Sequence, residues 1–412
     1  MSVGRAEFGP ETVASVESVV VPPIGVDDVA DVIRSEVTAL PARFALLADS
    51  LGATLAASLL TGTPLPRVDT AAMDGYAVSG PGPWWTLRAD VRVAGHGKGR
   101  PLQTGAAVRI ATGAVTPNGT TAVVRDEFAE TARTSGRRVV RRVPGAPMTD
   151  DMRRRGEQWD SGEILVAPGT RVCVAVVSAA ASAEAPMAAV RGPVRADVLV
   201  TGDEIRPRGP LAEGQTRDTL TPVLPQFLNA CDIACGSVRH LPDRPEDMHT
   251  WLTQARDAEM VIVTGATGRG AADHLRGVLA EIGARIVVDG VAMRPGGSQI
   301  VALLPDGTVL LALPGNPFAA VAALLVSGPA IVDALTARTS RPQLWGRISD
   351  RSGSGDEVTA VVPVRQLPGG VWQSIGPVHT SHLADLIGCQ ALALLGPHSG
   401  RGSVAALLPL PR

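Results

Sequence analysis

Lysine is almost absent. Of 38 basic residues in the 412-residue chain, only Lys98 is a lysine. Elsewhere there is no Schiff-base lysine, no lysine general base and no lysine for a Walker-type phosphate loop. Aromatic residues are scarce, at 3%. Cysteine is too sparse for a disulfide framework. Cys231 and Cys235 are four apart with no second pair to complete a zinc site, so Cys173, Cys231, Cys235 and Cys389 read as buried structural thiols. The seven histidines show no metal-ligand spacing, and neither a Ser-His-Asp order nor a nucleophile elbow is present. A net charge of −2 argues against nucleic acid or an anionic membrane surface as the main partner. The N-terminal residues lack the apolar core of a signal peptide. The longest apolar stretch, Phe318 to Val332, is interrupted by Ser327, Gly328 and Pro329 and reads as too short to span a membrane. The expectation is a soluble, cytoplasmic protein.

What is there is ample core material, 45% hydrophobic residues against 19% charged, in a length that suggests two to four domains. From about 11 to 60, apolar residues at three-and-four spacing predict helices. From Trp84 to Val143 short β-branched runs separated by Gly and Pro predict a small β domain. From about 194, apolar strands alternate with amphipathic helices, which predicts a parallel, doubly wound sheet. After about 340 the texture is that of a small terminal β domain. The division expected is 1–81 with 145–190 (a helical linker domain), 82–144 (β-rich), 191–337 (α/β) and 338–412 (C-terminal β).

In doubly wound sheets ligands bind beyond the strand carboxyl ends. Here those ends carry Thr201-Gly202-Asp203-Glu204, Thr264-Gly265-Ala266-Thr267-Gly268 and Pro314-Gly315-Asn316-Pro317. Gly265, Gly268 and Gly270 allow close approach of backbone N–H groups to an anion, although a glycine-rich turn with no ligand looks the same. Asp203, Glu204 and Asp273 are of the kind that holds Mg²⁺ against phosphate oxygens, and Asp203 and Asp273 equally suit helix N-caps. Asp69, Asp74 and Gly75 mark a turn first, with the sole tyrosine, Tyr76, as a packing residue.

Six segments stand in a telling order: TAAMDGYAV at 70–78, RIATGAVTPNGTTAVVRDE at 109–127, RRRGEQWDSGEILVAPGT at 153–170, VTGDEI at 200–205, MRPGG at 293–297 and LPGNP at 313–317. In series they resemble the molybdopterin molybdenumtransferases, the MoeA family that includes the gephyrin E domain, over about residues 15–410. The resemblance implies a multidomain α/β plus β fold: a parallel α/β molybdopterin-binding domain, a helical/β N-terminal region and a C-terminal β barrel-like domain. It implies a homodimer in the cytoplasm. The reaction it implies takes adenylylated molybdopterin and molybdate, releases AMP, leaves molybdenum on the dithiolene and uses a divalent cation such as Mg²⁺. Other proteins of the molybdenum cofactor pathway would be partners; nucleic acid and membrane would not.

Residue by residue, the resemblance makes Asp74, Glu204 and Asp273 catalytic and gives Asp203, Glu204 and Asp273 to the metal. Thr112, Gly265, Thr267, Gly268, Arg294, Pro295, Ser298, Pro314, Gly315, Asn316 and Ser381 would bind the substrate. Asp74 and Thr112 would reach the partner subunit's site, and Glu127 resembles the acid after the TGA segment. The chain departs from the family where molybdate is expected. KPGKP becomes Arg294-Pro295-Gly296-Gly297-Ser298, the serine after PGNP is Ala319, and an arginine of the last domain falls at Ala360. Losing a lysine and an arginine removes charge-assisted hydrogen bonds of roughly 1.5–3 kcal/mol each. Two alternatives follow: a non-catalytic molybdopterin-binding carrier or scaffold, and, from the GATG loop at 265–268, a molybdopterin adenylyltransferase.

Overall fold

The computed structural model describes residues 22–268, 274–339, 341–350 and 357–411. The chain divides into two compact units, one of Ala39–Pro193 with Thr336–Ser340, the other of Met1–Thr38, Val194–Leu335 and Arg341–Arg412.

In the first unit the helical expectation for residues 39–60 fails. The segment forms strands Arg43–Leu46, Thr54–Leu55 and Leu59–Leu60 with a single 3₁₀ turn, Leu47–Asp49. Before it, the described part of the expected helical stretch holds one helix, Val29–Glu36; residues 11–21 lie outside the described residues. The apolar spacing satisfied both periods, and cross-strand pairing decides between them. Arg43–Leu46 runs antiparallel to Met187–Arg191, with Leu46 opposite Met187. That pairing buries Ala45, Leu47 and Leu55 against Val176 and Ala180 of the helix Val174–Ser182. Gly52, at φ 85°, breaks any helix that would cross it. Beneath this sheet Thr54 Oγ1 donates to Thr336 Oγ1 (3.0 Å) and accepts from Arg338 Nε (3.2 Å), while Arg338 also donates to the Gly52 carbonyl (2.9 Å); all three side chains are buried.

The β texture of 84–143 does fold as a six-stranded sheet. Its strand order is Ala122–Arg125, Gly75–Val78, Ala106–Ile110, Trp84–Arg92, Arg137–Arg142, Ala129–Thr134. It draws in Gly75–Val78 from the N-terminal side of residue 82. Gly75 is required there, because a Cβ would sit 2.1 Å from the Val124 carbonyl oxygen.

The second unit carries the α/β sheet. Its strands are β1 (Val194–Thr201), β2 (Ile233–Leu241), β3 (Met260–Thr264), β4 (Arg285–Asp289), β5 (Ile300–Leu303) and β6 (Val309–Leu313). They lie in the order β2-β1-β3-β6-β5-β4. β1, β2, β3 and β6 are parallel, as expected, but β5 is antiparallel to both neighbours. This strand escaped the sequence reading because a short hairpin, not a helix, joins it to β6. Gly307 (φ 89°) and the Thr308 N–H bond to Asp306 Oδ1 (2.9 Å) make that turn. Helices α1 (Leu224–Ala230), α2 (Pro245–Leu252), α3 (Leu275–Glu281) and α4 (Pro317–Thr336) complete the layers. Strand residues Leu199, Val261, Val263 and Leu310 pack with Trp251 and Leu252 of α2 and Leu275 and Leu279 of α3.

α4 corrects another expectation. It runs unbroken through Ser327-Gly328-Pro329 for 20 residues and is long and apolar enough to cross a membrane, but 89% of its apolar stretch is buried within the protein. Ser327 Oγ donates to the Oε1 of buried Gln299 (2.6 Å), so a polar residue in the helix ties it to the 293–299 loop. Of the thiols, Cys231 alone is fully buried, and burial pushes it up to about 12; Cys173, Cys235 and Cys389 are half-buried.

Strands β7 (Leu344–Ile348), β8 (Thr359–Gln366), β9 (Val371–Ser374), β10 (Ala391–Leu395) and β11 (Val404–Pro409) close into a five-stranded barrel in the ring order β8-β9-β7-β11-β10. Closure leaves no open edge within the ring. The two-residue strand Met293–Arg294 adds to β8 in parallel, with Arg294 opposite Ala360.

Candidate functional site

A cavity of about 620 Å³ opens at the carboxyl ends of β1, β3 and β6. Three strand-end segments singled out by sequence meet in it. Glu204 lies beyond β1, Gly265, Thr267 and Gly268 beyond β3, and Gly315 and Asn316 beyond β6, with Ser381 of the barrel domain on its rim. The β3 turn approaches β1 too closely for a side chain. Gly265 has φ 87°, and a Cβ there would meet Thr201 Oγ1 at 2.8 Å. Thr201 Oγ1 in turn donates to the Thr264 carbonyl (3.1 Å), which fixes the two strand ends together. α4 begins at the cavity wall, with Ala320 N–H bonding the Asn316 carbonyl (2.9 Å) and Phe318 N–H bonding the Thr380 carbonyl (3.1 Å). The second bond anchors the loop that carries Ser381. A glycine-rich turn and the positive end of a long helix at one concavity suit an anionic group.

The remaining expected residues are placed differently. Ser298 does not line the cavity but meets it through Thr267, whose Oγ1 lies 3.2 Å from Ser298 Oγ. Arg294, Pro295 and Pro314 are not on the cavity wall. Asp203 is turned to the end of β2, where its Oδ1 accepts the Asp243 N–H at 3.4 Å. Asp273 lies outside the described residues, as does Gly270. In the first unit, Asp74 and Thr112 are joined to each other: Asp74 Oδ1 accepts from the Thr112 N–H (2.6 Å) and its hydroxyl (2.9 Å). Those bonds, the backbone one foremost, and the Arg109 charge hold the Asp74 carboxyl below its ordinary range. Glu127 is exposed on a 3₁₀ turn, Asp126–Phe128.

Four residues at the site escaped the sequence reading. Asp243 stands two residues beyond β2, so the fourth parallel strand end also brings a carboxylate to the cavity; its position just past a strand end was the available signal. Asp218 and Arg217 line the opposite wall. Burial pushes the Asp218 carboxyl up, but hydrogen bonds from Thr221 and His240 outweigh it and hold it below the ordinary range. Arg276 of α3 had no sequence signal. It donates to the carbonyls of Thr267 (3.3 Å) and Gly268 (2.8 Å) and is itself held by Asp289 (2.6 Å), bracing the glycine turn from outside. Among the described residues no His or Cys lines the cavity, and the ionisable groups on its wall are Glu204, Asp218, Asp243 and Arg217. Among the described residues no three His, Cys, Asp or Glu side chains converge as a ready-made metal cage.

Known proteins with similar sequences and folds bear on this arrangement. A family model described as the MoeA N-terminal region (domain I and II) matches residues 24–183, and one described as a probable molybdopterin binding domain matches 197–333. A protein of Synechococcus elongatus named molybdopterin molybdenumtransferase is 30% identical over 278 residues, 64% of this chain and 68% of that protein. Its Nostoc and Haemophilus influenzae namesakes are 30% and 28% identical over 65% and 68% of this chain, and 63% and 69% of their own lengths. A crystal structure of a molybdopterin biosynthesis MoeA protein from Pyrococcus horikoshii, 21% identical, superposes with a TM-score of 0.71 over 95% of this chain and all of the other, which establishes a shared fold.

Proposed function

The chain belongs to the MoeA family of molybdopterin molybdenumtransferases, and from that premise we propose that it inserts molybdenum from molybdate into adenylylated molybdopterin, with Mg²⁺-dependent release of AMP. The observation that carries this reading is the cavity where Glu204, the 264–268 turn and the start of α4 come together. In this reading backbone N–H groups of the glycine turn and the Thr267 hydroxyl hold phosphate oxygens, and Gly315-Asn316 and Ser381 hold the remainder of the substrate. Arg276 keeps the turn in its phosphate-facing shape.

The donor chemistry fits the cation. Every acidic or metal-binding side chain on the wall offers oxygen, and Mg²⁺ takes one or two carboxylates together with substrate phosphate oxygens in preference to an all-protein cage. Glu204, with Asp203 and Asp273, would hold it, and its chemistry there is neutralisation of the phosphate charge. Asp74, with Thr112, would join the catalytic set of the partner subunit. The four-part division at 81/82, 144/145, 190/191 and 337/338 belongs to the same reading. So does the homodimer, supported by an apolar face on which Phe44 (70% exposed), Leu46 and Met187 stand in solvent. A cytoplasmic location is supported by four free thiols.

One observation favours a second reading, a pterin-binding carrier that does not insert metal. Gly297 stands where the family has lysine, and a Cβ there would lie 2.5 Å from the Met293 carbonyl oxygen and 2.7 Å from that of Val291. A single assay decides. Purified protein receives adenylylated molybdopterin, Mg²⁺ and molybdate, and AMP release and active cofactor are both measured. Production of both is the expected result. AMP without active cofactor overturns insertion, and tight pterin binding with neither product establishes the carrier.

A further inference from the structure

His240 stands one residue before the end of β2 and does not line the cavity, yet it controls a wall that does. Its Nε2 lies 2.8 Å from Asp218 Oδ2, and Asp218 is 7% exposed. The other carboxylate oxygen, Oδ1, accepts the N–H groups of Leu220 (3.2 Å) and Thr221 (3.0 Å). Asp218, Thr219, Leu220 and Thr221 all face the cavity. The wall then passes directly into α1, whose first residue bonds its N–H to the Leu220 carbonyl (2.9 Å). An ionised carboxylate only accepts, so the imidazole donates its Nε2 hydrogen to Asp218 whether neutral or charged. A histidine on the sheet thus holds a buried carboxylate, and the carboxylate holds the turn.

We propose that His240 is a positioning residue for the phosphate-bearing ligand of this cavity, acting through Asp218 on the 218–221 wall. The proposal rests on the assignment of the cavity to adenylylated molybdopterin. Charge makes the clamp matter. Among the described residues the wall presents Glu204, Asp218 and Asp243 with Arg217, so the carboxylates beside an anionic ligand must be held in place. The Arg206 carbonyl accepts the Asp218 N–H (3.1 Å), a further tie on the same turn. α1, packed on β2, has no ionisable side chain.

The test uses the full-length protein with AMP and Mg²⁺ as the binding probe, and three forms of the chain. Wild-type affinity is the reference. His240→Gln, which keeps an N–H donor, should bind with close to the wild-type affinity. His240→Leu should bind about tenfold more weakly, with KM raised and kcat unchanged. Amide hydrogen exchange at Leu220 and Thr221 should quicken in His240→Leu and not in His240→Gln. Identical behaviour of the Gln and Leu variants, or unchanged exchange alongside intact AMP binding, overturns the clamp alone. Failure of the wild type to bind AMP or adenylylated molybdopterin overturns the cavity assignment, and the proposal with it.

Discussion

Asp74 Oδ1 accepts two hydrogen bonds from a single residue 38 positions away, the N–H of Thr112 at 2.6 Å and its hydroxyl at 2.9 Å. The two motifs 70–78 and 109–127 are thereby one feature. Since the backbone bond contributes most to holding Asp74 below its ordinary range, Thr112→Val should raise the Asp74 pKa only part of the way, read by NMR titration. Asp74 remains ionised at neutral pH in that variant, so turnover should change little, whereas Asp74→Asn should cut it by at least about a hundredfold. Equal loss in both variants would show that the Thr112 hydroxyl, not the Asp74 charge, is what the reaction needs.

Glu204→Gln and Asp273→Asn should each lower AMP release by about a hundredfold or more at saturating Mg²⁺, with unchanged thermal midpoints. Asp243→Asn should weaken the apparent Mg²⁺ affinity. Wild-type rates in the first two variants would remove these carboxylates from the reaction.

Restoring the family's molybdate contacts should succeed at one position and fail at two. Ala319→Ser adds one hydroxyl, and one net hydrogen bond of about 0.5–1.5 kcal/mol should lower the KM for molybdate by roughly two- to tenfold. Gly297→Lys must displace the Met293 and Val291 carbonyls, and Ala360→Arg puts a charge into the barrel core, where Ala360 packs with Val362 and Trp372. Both should destabilise the fold by about 2 kcal/mol or more, measured by urea unfolding.

Acid should find the first unit through Asp151, which is 6% exposed and bonded by Arg125 Nε at 2.9 Å. Arg125 holds its carboxyl below the usual range against the effect of burial. A depressed native pKa contributes stability above the unfolded value of about 3.9 and loses it as pH falls through the native one. Unfolding free energy should therefore drop below about pH 4. Asp151→Asn should be less stable at pH 7 and show a shallower acid slope.

How much of this was legible depended on whether local pattern or distant contact decides. The strands Val194–Thr201 and Met260–Thr264 are buried along almost their whole lengths, so apolar runs revealed them. The strand ends revealed half of the cavity, because glycine and carboxylate there are chemically conspicuous. Residues 39–60 misled because a strand with one buried face and a helix can share apolar spacing, and pairing with Met187–Arg191, more than 100 residues on, settles it. Asp218, His240 and Arg276 were invisible for the same reason. Their importance lies in what they touch, and neither the Asp218–His240 pair nor the Arg276 grip on Thr267 and Gly268 leaves a local mark.

The buried trio of Thr54, Thr336 and Arg338 sets an order on synthesis. The first unit has all but five of its residues by Pro193, yet its closing hydroxyl and guanidinium emerge from the ribosome only with residues 336–338. At about 5–20 residues per second that interval is roughly 7–30 s. During it the Gly52 carbonyl and the Thr54 hydroxyl lack their native partners. The early-made part of the chain therefore completes its buried trio only after residues 194–335 have been made, and a nascent chain stalled before Thr336 should remain protease-sensitive around Gly52.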